Sequence, residues 1–393
     1  MKHIPLSTPY FNGNEWKYVK DCIDTSWVST AGNYVNKFEK ALCKYTKAKY
    51  AVACVNGTSG LHIALKLCGV EFKDEIIAPT ITFIAPINTI KYVNAEPIFM
   101  DCDDFMNIDP DKISYFCKNM CTITKHGLKN KKTKKIVKAI ILVHIFGNPC
   151  NIEPIMKIAK KYKLKVIEDA TESLGSFYNS GKYANFHTGT IGDLGIFSFN
   201  GNKIITTGGG GAIVTNSKNM AEKAHYLTNQ AKDDQVKYIH NEIGYNYRLT
   251  NLQAALGLAQ IEQLNKFIKT KKINYFLYKK YLSDIPGITL LDTPSYSNPN
   301  YWFYSLLIDQ SKFGFNAEQL MSILNKQNIQ SRPLWYLNHL QIPYLKNQVF
   351  SINKAIWFHK NILNIPCSSH LKQTEITYIS KIIKNAHFYN KQH

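Results

Sequence analysis

The chain has 393 residues and 45 % hydrophobic content, enough for a large domain with a smaller one beside it and ordinary for a packed globular protein. Its formal net charge is +20, from 48 Lys+Arg against 28 Asp+Glu, but no nucleic-acid-binding motif accompanies the excess and no apolar run approaches a membrane span. The nine cysteines are scattered singly, with no CxxC pair, so neither a metal cluster nor a disulfide framework is expected; this usage and the absence of a signal-peptide core after Met1 point to a reducing cytoplasm.

In chain order, Gly57-Thr58-Ser59-Gly60 precedes a helical run from Leu61 to Leu67. Ile76-Ile77 forms a short strand ending at Pro79, and Ile136 to Ile145 a longer one whose near-continuous apolar character suits burial on both faces. Before it, Lys129, Lys131, Lys132, Lys134 and Lys135 crowd together as an exposed basic loop between two elements. Glu153 to Tyr162 reads as a helix, and Val166-Ile167 as a strand ending in Glu168-Asp169. Ile196 to Phe199 and Ala212 to Thr215 are two strands flanking a loop. From Leu249 a long helix runs toward Leu282, with Leu252, Leu256 and Ala259 as its apolar stripe, until Pro286-Gly287 ends it. Alternating strands and helices predict an α/β domain with a mostly parallel sheet over residues 1–265. A smaller α+β domain follows over 266–393.

Three features carry chemistry. Gly57, Thr58 and Ser59 at a helix start offer N–H groups and hydroxyls to a phosphate; alone, such turns are far more often plain helix caps. Asp169 closes a predicted strand at the edge where ligands of open α/β sheets gather; alone, it reads as an ordinary strand-end acid. Lys203 lies between two apolar strands in a loop followed by Gly208 to Gly211, with Ser198 just upstream. Removed from water, such a lysine becomes a usable amine nucleophile.

Those residues lie in segments that resemble the DegT/DnrJ family of sugar aminotransferases: VNGTSGLHIAL (55–65), APTITFIAPINTI (78–90), VIEDATESLGS (166–176), IGDLGIFSFNGNKIITTGGGGAIVTN (191–216) and GYNYRLTNLQAALGLAQIEQL (244–264). The resemblance covers nearly the whole chain. It is strongest toward nucleotide-sugar 4-aminotransferases of the legionaminic-acid and bacillosamine type, then toward perosamine synthases. It implies the fold of aspartate aminotransferase (fold type I), pyridoxal 5'-phosphate as cofactor, no metal, and a homodimer with its sites at the subunit interface. It implies Lys203 as the Schiff-base lysine and proton shuttle, and Asp169 as partner of the pyridine nitrogen. Thr58, Ser59 and Ser198 would hold the phosphate with Gly57, Phe83 would lie against the ring, and Asn246 would reach the phosphate from the partner subunit.

Two positions depart from the common pattern: Glu172 replaces a glutamine near the cofactor O3′, and Gly209 replaces a glutamate. Lys203 itself argues for amination, because members that dehydrate sugars carry histidine there. The expected reaction moves an amino group from L-glutamate to the C4 ketone of a 4-keto-6-deoxy nucleotide sugar, first UDP-2-acetamido-2,6-dideoxy-4-keto-hexose. The alternatives are a GDP-perosamine synthase type, a 3-aminotransferase, or a non-catalytic regulator that keeps the fold. Arg332, Trp335 and His339 fall in a segment resembling the family's substrate-lining loop, where Arg332 suits a diphosphate. The same residues read equally as a structural Arg-Pro turn with a core tryptophan.

Overall fold

The computed structural model describes residues 3–234 and 236–390. Seven strands form the body of a ten-stranded sheet: β1 (Tyr50–Cys54), β2 (Glu75–Pro79), β3 (Glu96–Met100), β4 (Ile136–Val143), β5 (Lys165–Asp169), β6 (Leu194–Ser198) and β7 (Gly211–Thr215). Their order is β1-β7-β6-β5-β4-β2-β3. The run from β6 to β3 is parallel, and β7 lies antiparallel between β6 and β1. This is the mostly parallel α/β sheet expected of fold type I.

Alternation explains the apolar run of β4. Ala139, Ile141 and Val143 enter one core cluster while Ile140 and Leu142 enter another, so both faces of the strand are covered. The strand stops at Val143, two residues short of the expected end, because Phe146 turns into a left-handed conformation (φ 54°) inside a short 3-10 turn, Ile145–Gly147. Lys131, Lys132, Lys134 and Lys135 lie in the expected loop, ahead of β4, and only Lys129 belongs to a strand. Cys121–Thr124 and Gly127–Asn130 form an antiparallel hairpin that pairs onto β4. Leu128 and Asn130 point inward and Lys129 takes the alternate position between them.

The long helix, Asn251–Leu282, starts two residues later than expected, because Thr250 and Gln253 close a capping box ahead of it. Its buried face carries Ala254, Ala255, Gly257 and Ala259, with Leu252 and Leu256 only half-buried at the edges. Small residues win that face because the Asn33–Thr46 helix packs so close: a Cβ on Gly257 would lie 2.8 Å from the Phe38 ring. Apolar residues of the long helix up to Phe267 join one core cluster, and those from Tyr275 onward join another.

That second cluster covers an antiparallel sheet of order Ile288–Leu290, Tyr304–Ile308, Ile362–Ile365, Arg332–Pro333. The chain's start joins this cluster, and a later segment ties it to the large sheet. Ile4 bridges Ile329, and Gln348–Phe350 adds a parallel strand beside β3. All nine cysteines are free thiols, and eight are buried. Among the described residues, no helix is long and apolar enough to cross a membrane.

Candidate active site

The C-terminal ends of β1, β2, β4, β5 and β6 meet at one edge of the sheet, where chain reversal opens a crevice. The cleft there has a volume of about 760 Å³. Gly57, Thr58, Phe83, Asp169, Glu172, Ser198, Lys203 and Trp335, expected from widely separated segments, all line it.

Lys203 is delivered by the loop between β6 and β7. That loop folds back on itself: Phe199 N–H donates to the Gly210 carbonyl at 2.8 Å, and Thr207 N–H to the Phe199 carbonyl at 2.9 Å. The lysine side chain is 13 % exposed, with Nζ 3.5 Å from Glu172 Oε1 and 4.3 Å from the centre of the Trp302 ring. Among the described residues it is the one lysine lining the cleft.

Asp169 is buried at the end of β5 and makes no ion pair among the described residues. Its Oδ1 accepts from Thr171 N–H at 3.1 Å. Burial raises its carboxyl above the ordinary value, against the pull of Thr171 and Lys203. Behind it, Glu168 and His144 form a separate buried pair, 3.0 Å apart. Because His144 Nδ1 accepts from Cys150 N–H, the ring proton sits on Nε2 and points at Glu168. Burial opposes the Glu168 charge, but His144 and the N–H groups of Gly189 and Gly192 outweigh it and hold the carboxyl below its usual range. That charge fixes the loop entering β6.

The Gly57–Leu67 helix aims its N-terminus into the cleft. Its leading N–H groups have no partners within the helix and favour an anion. Asn56 caps it, accepting from Ser59 N–H at 2.7 Å. A Cβ on Gly57 would meet Thr171 Cγ2 at 3.0 Å and Ser198 Cβ at 3.2 Å, so glycine leaves the floor open. Ser59 itself is buried and lies outside the lining.

An aromatic wall of the cleft is formed by Trp302, Phe303 and Trp335, with Phe146 packed against it. Trp302 and Phe303 stack with centroids 4.0 Å apart, and Phe146 lies 4.8 Å from Trp335. Trp302 Nε1–H donates to the Asn202 carbonyl, one residue before the lysine, at 2.9 Å. Sequence reasoning missed Trp302, Phe303 and Phe146. The available signal was Asn300 ahead of an aromatic pair, at the start of an otherwise apolar strand.

Besides Ser59, three expected residues lie off the cleft wall. Arg332 is exposed on the short strand paired with Ile362–Ile365 and does not line the cleft. His339 is buried, with Nδ1 2.7 Å from Thr80 Oγ1, and serves that contact rather than the cleft wall. Asn246 is exposed, bridges Asn229 and stands outside the cleft of its own chain.

A helix N-terminus, a buried carboxyl without a cation and a sheltered amine suit a flat heterocycle bearing a phosphate, an aldehyde and a basic ring nitrogen. The donor set therefore fits pyridoxal phosphate. Residues 9–384 match the model of the DegT/DnrJ/EryC1/StrS aminotransferase family. The chain is similar to a GDP-perosamine synthase of Escherichia coli O157:H7, at 37 % identity over 98 % of each chain. It is also similar to one of Vibrio cholerae, at 35 % identity over 97 % of this chain and 98 % of that one. Its fold matches a crystal structure of a DegT DnrJ EryC1 StrS aminotransferase from Brucella abortus with a TM-score of 0.86, at 25 % identity and 95 % coverage of both chains.

Proposed function

Because the chain belongs to the DegT/DnrJ/EryC1/StrS aminotransferase family and so acts as a pyridoxal-phosphate-dependent sugar aminotransferase, we propose that it moves an amino group from L-glutamate to the C4 ketone of a nucleotide-linked 4-keto-6-deoxy sugar. The single observation supporting the reading is that Lys203 and Asp169 line the same cleft as the N-terminus of the Gly57–Leu67 helix. Its similarity to GDP-perosamine synthases favours a GDP-linked sugar over the UDP-linked one.

Bound in this cleft, pyridoxal phosphate supplies an electron sink for the charge left on carbon when a C–H proton departs. Lys203 holds the cofactor through its amine and, when free, takes and returns that proton. Asp169, a carboxylate without a cationic partner of its own, holds a proton on the ring nitrogen. Gly57, Thr58 and Ser198 surround the phosphate at the helix end. The aromatic wall keeps water from the reacting carbon.

Purified protein with pyridoxal phosphate and L-glutamate is tested against GDP- and UDP-linked 4-keto-6-deoxy sugars, with products read by mass spectrometry. Replacement of the ketone by an amine on the GDP-linked sugar is expected. Lys203→Ala should abolish both the visible absorbance of bound cofactor and turnover; full retention of either overturns the role of Lys203.

A further inference from the structure

Glu172 is held from three sides. Its Oε2 accepts from Phe146 N–H at 2.8 Å, its own backbone carbonyl accepts from Asn300 Nδ2 at 2.8 Å, and its Oε1 faces Lys203 Nζ at 3.5 Å. The carboxyl is 3 % exposed and the lysine 13 %. A proton passed from one to the other would leave two neutral groups, each less costly to keep from water than a charge. The turn that supplies the Phe146 N–H is a left-handed non-glycine residue, an uncommon conformation that aims this donor at the carboxyl.

We propose that Glu172 is a catalytic residue, the proton acceptor that turns the Lys203 ammonium into a free amine and later returns the proton. In the step, one N–H bond of Lys203 breaks and its electron pair stays on Nζ. An O–H bond forms on Glu172 Oε1, and the pair carries zero net charge before and after. No outside reagent is needed. Oε2 goes on accepting from Phe146 N–H in either state, so the geometry survives the transfer.

The charged groups facing the carboxyl are Lys203 and Asp169. Burial pushes Glu172 up to about 7, the Lys203 charge and the Phe146 N–H pull it down, and Asp169 adds to the rise. A carboxyl so tuned both accepts and yields a proton near neutrality.

The inference rests on Lys203 as the cofactor lysine but not on the identity of the sugar. The test follows the growth of visible absorbance when pyridoxal phosphate is added to full-length chain freed of cofactor, across neutral to alkaline pH. Wild type should show a rate inflection near neutrality. Glu172→Gln keeps an oxygen for Phe146 N–H but takes no proton; it should lose the inflection and capture cofactor about 10²-fold more slowly at neutral pH. Glu172→Asp, which keeps a carboxyl, should recover the inflection in part. A Glu172→Gln profile overlying wild type, or a folded Glu172→Asp with no inflection, overturns the proposal. If Lys203→Ala still develops the absorbance, the lysine assignment fails and takes this inference with it; loss of absorbance in Lys203→Ala with unchanged Glu172→Gln overturns the inference alone.

Discussion

Lys203 and Trp302 form a cation–π contact, with the ammonium 4.3 Å from the ring centre. The same indole bonds the carbonyl of Asn202, so one side chain sets both the backbone before the lysine and the position of its amine. A cation–π contact at a sheltered site contributes about 1–2 kcal/mol.

Replacing Trp302 separates these roles. Trp302→Phe keeps a ring face but loses the bond to Asn202, and should cost about 1 kcal/mol in urea denaturation. Trp302→Leu removes the ring as well, and should cost about 3 kcal/mol. Turnover should fall modestly in the first variant and by more than about tenfold in the second, with the amount of bound cofactor read by absorbance.

Asn300 joins the two halves of the site. Its side-chain amide donates to the carbonyls of Glu172 and Leu174 at 2.8 and 3.0 Å, and its Oδ1 accepts from Trp302 N–H at 2.9 Å. Asn300→Ala leaves those buried groups unsatisfied and should destabilise the protein by about 2–4 kcal/mol. Gly147 lies against the same side chain at φ 88°, and a Cβ there would come within 1.9 Å of Asn300 Oδ1. Gly147→Ala should therefore lower the thermal midpoint as much as Asn300→Ala does, through strain and displacement of that one residue. Calorimetry on both single variants and the double variant should show clear non-additivity.

Asp169→Asn keeps the shape and the contact with Thr171 but removes the negative charge. Cofactor should still bind, because the helix end and Lys203 are untouched. Turnover should drop by about 10²-fold or more, the scale for losing one preorganised electrostatic partner of the reacting charge. Steady-state kinetics at saturating cofactor measure it.

Glu172 also sets a pH dependence of stability. Its folded value, about 7, lies above the ordinary 4.5, so between those values the native chain binds a proton that the unfolded chain does not. That contribution is complete below about 4.5 and is lost as pH rises through about 7. In cofactor-free protein, Glu172→Gln should therefore gain on wild type as pH rises over this window, by about 1–3 kcal/mol at the alkaline end. Denaturant titrations at a series of pH values give the difference.

The strands ending at Pro79, Asp169 and Thr215 were legible in the sequence because each holds the short apolar run that burial on both faces requires, and because Pro79, Asp169 and Asn216 mark where it stops. The hairpin ahead of the basic loop was not. Its inward residues are few, Cys121, Leu128 and Asn130, and pairing onto β4 supplies bonds that no local pattern announces. The long helix was visible, but its buried face was misjudged, since leucine spacing marks an apolar stripe while the closeness of the Asn33–Thr46 helix selects alanine and glycine.

The chain's own order of residues settled what chemistry is available: an amine in a glycine-rich loop, an acid at a strand end and a helix start with free N–H groups. Spacing along the chain cannot say which distant side chains meet them. Folding brought Trp302 and Asn300 across to Lys203 and Glu172, sent Arg332 to the surface and turned His339 toward Thr80. Those outcomes depend on how two sheets and the long helix pack, and packing is a property of shapes meeting in space that local sequence pattern does not encode.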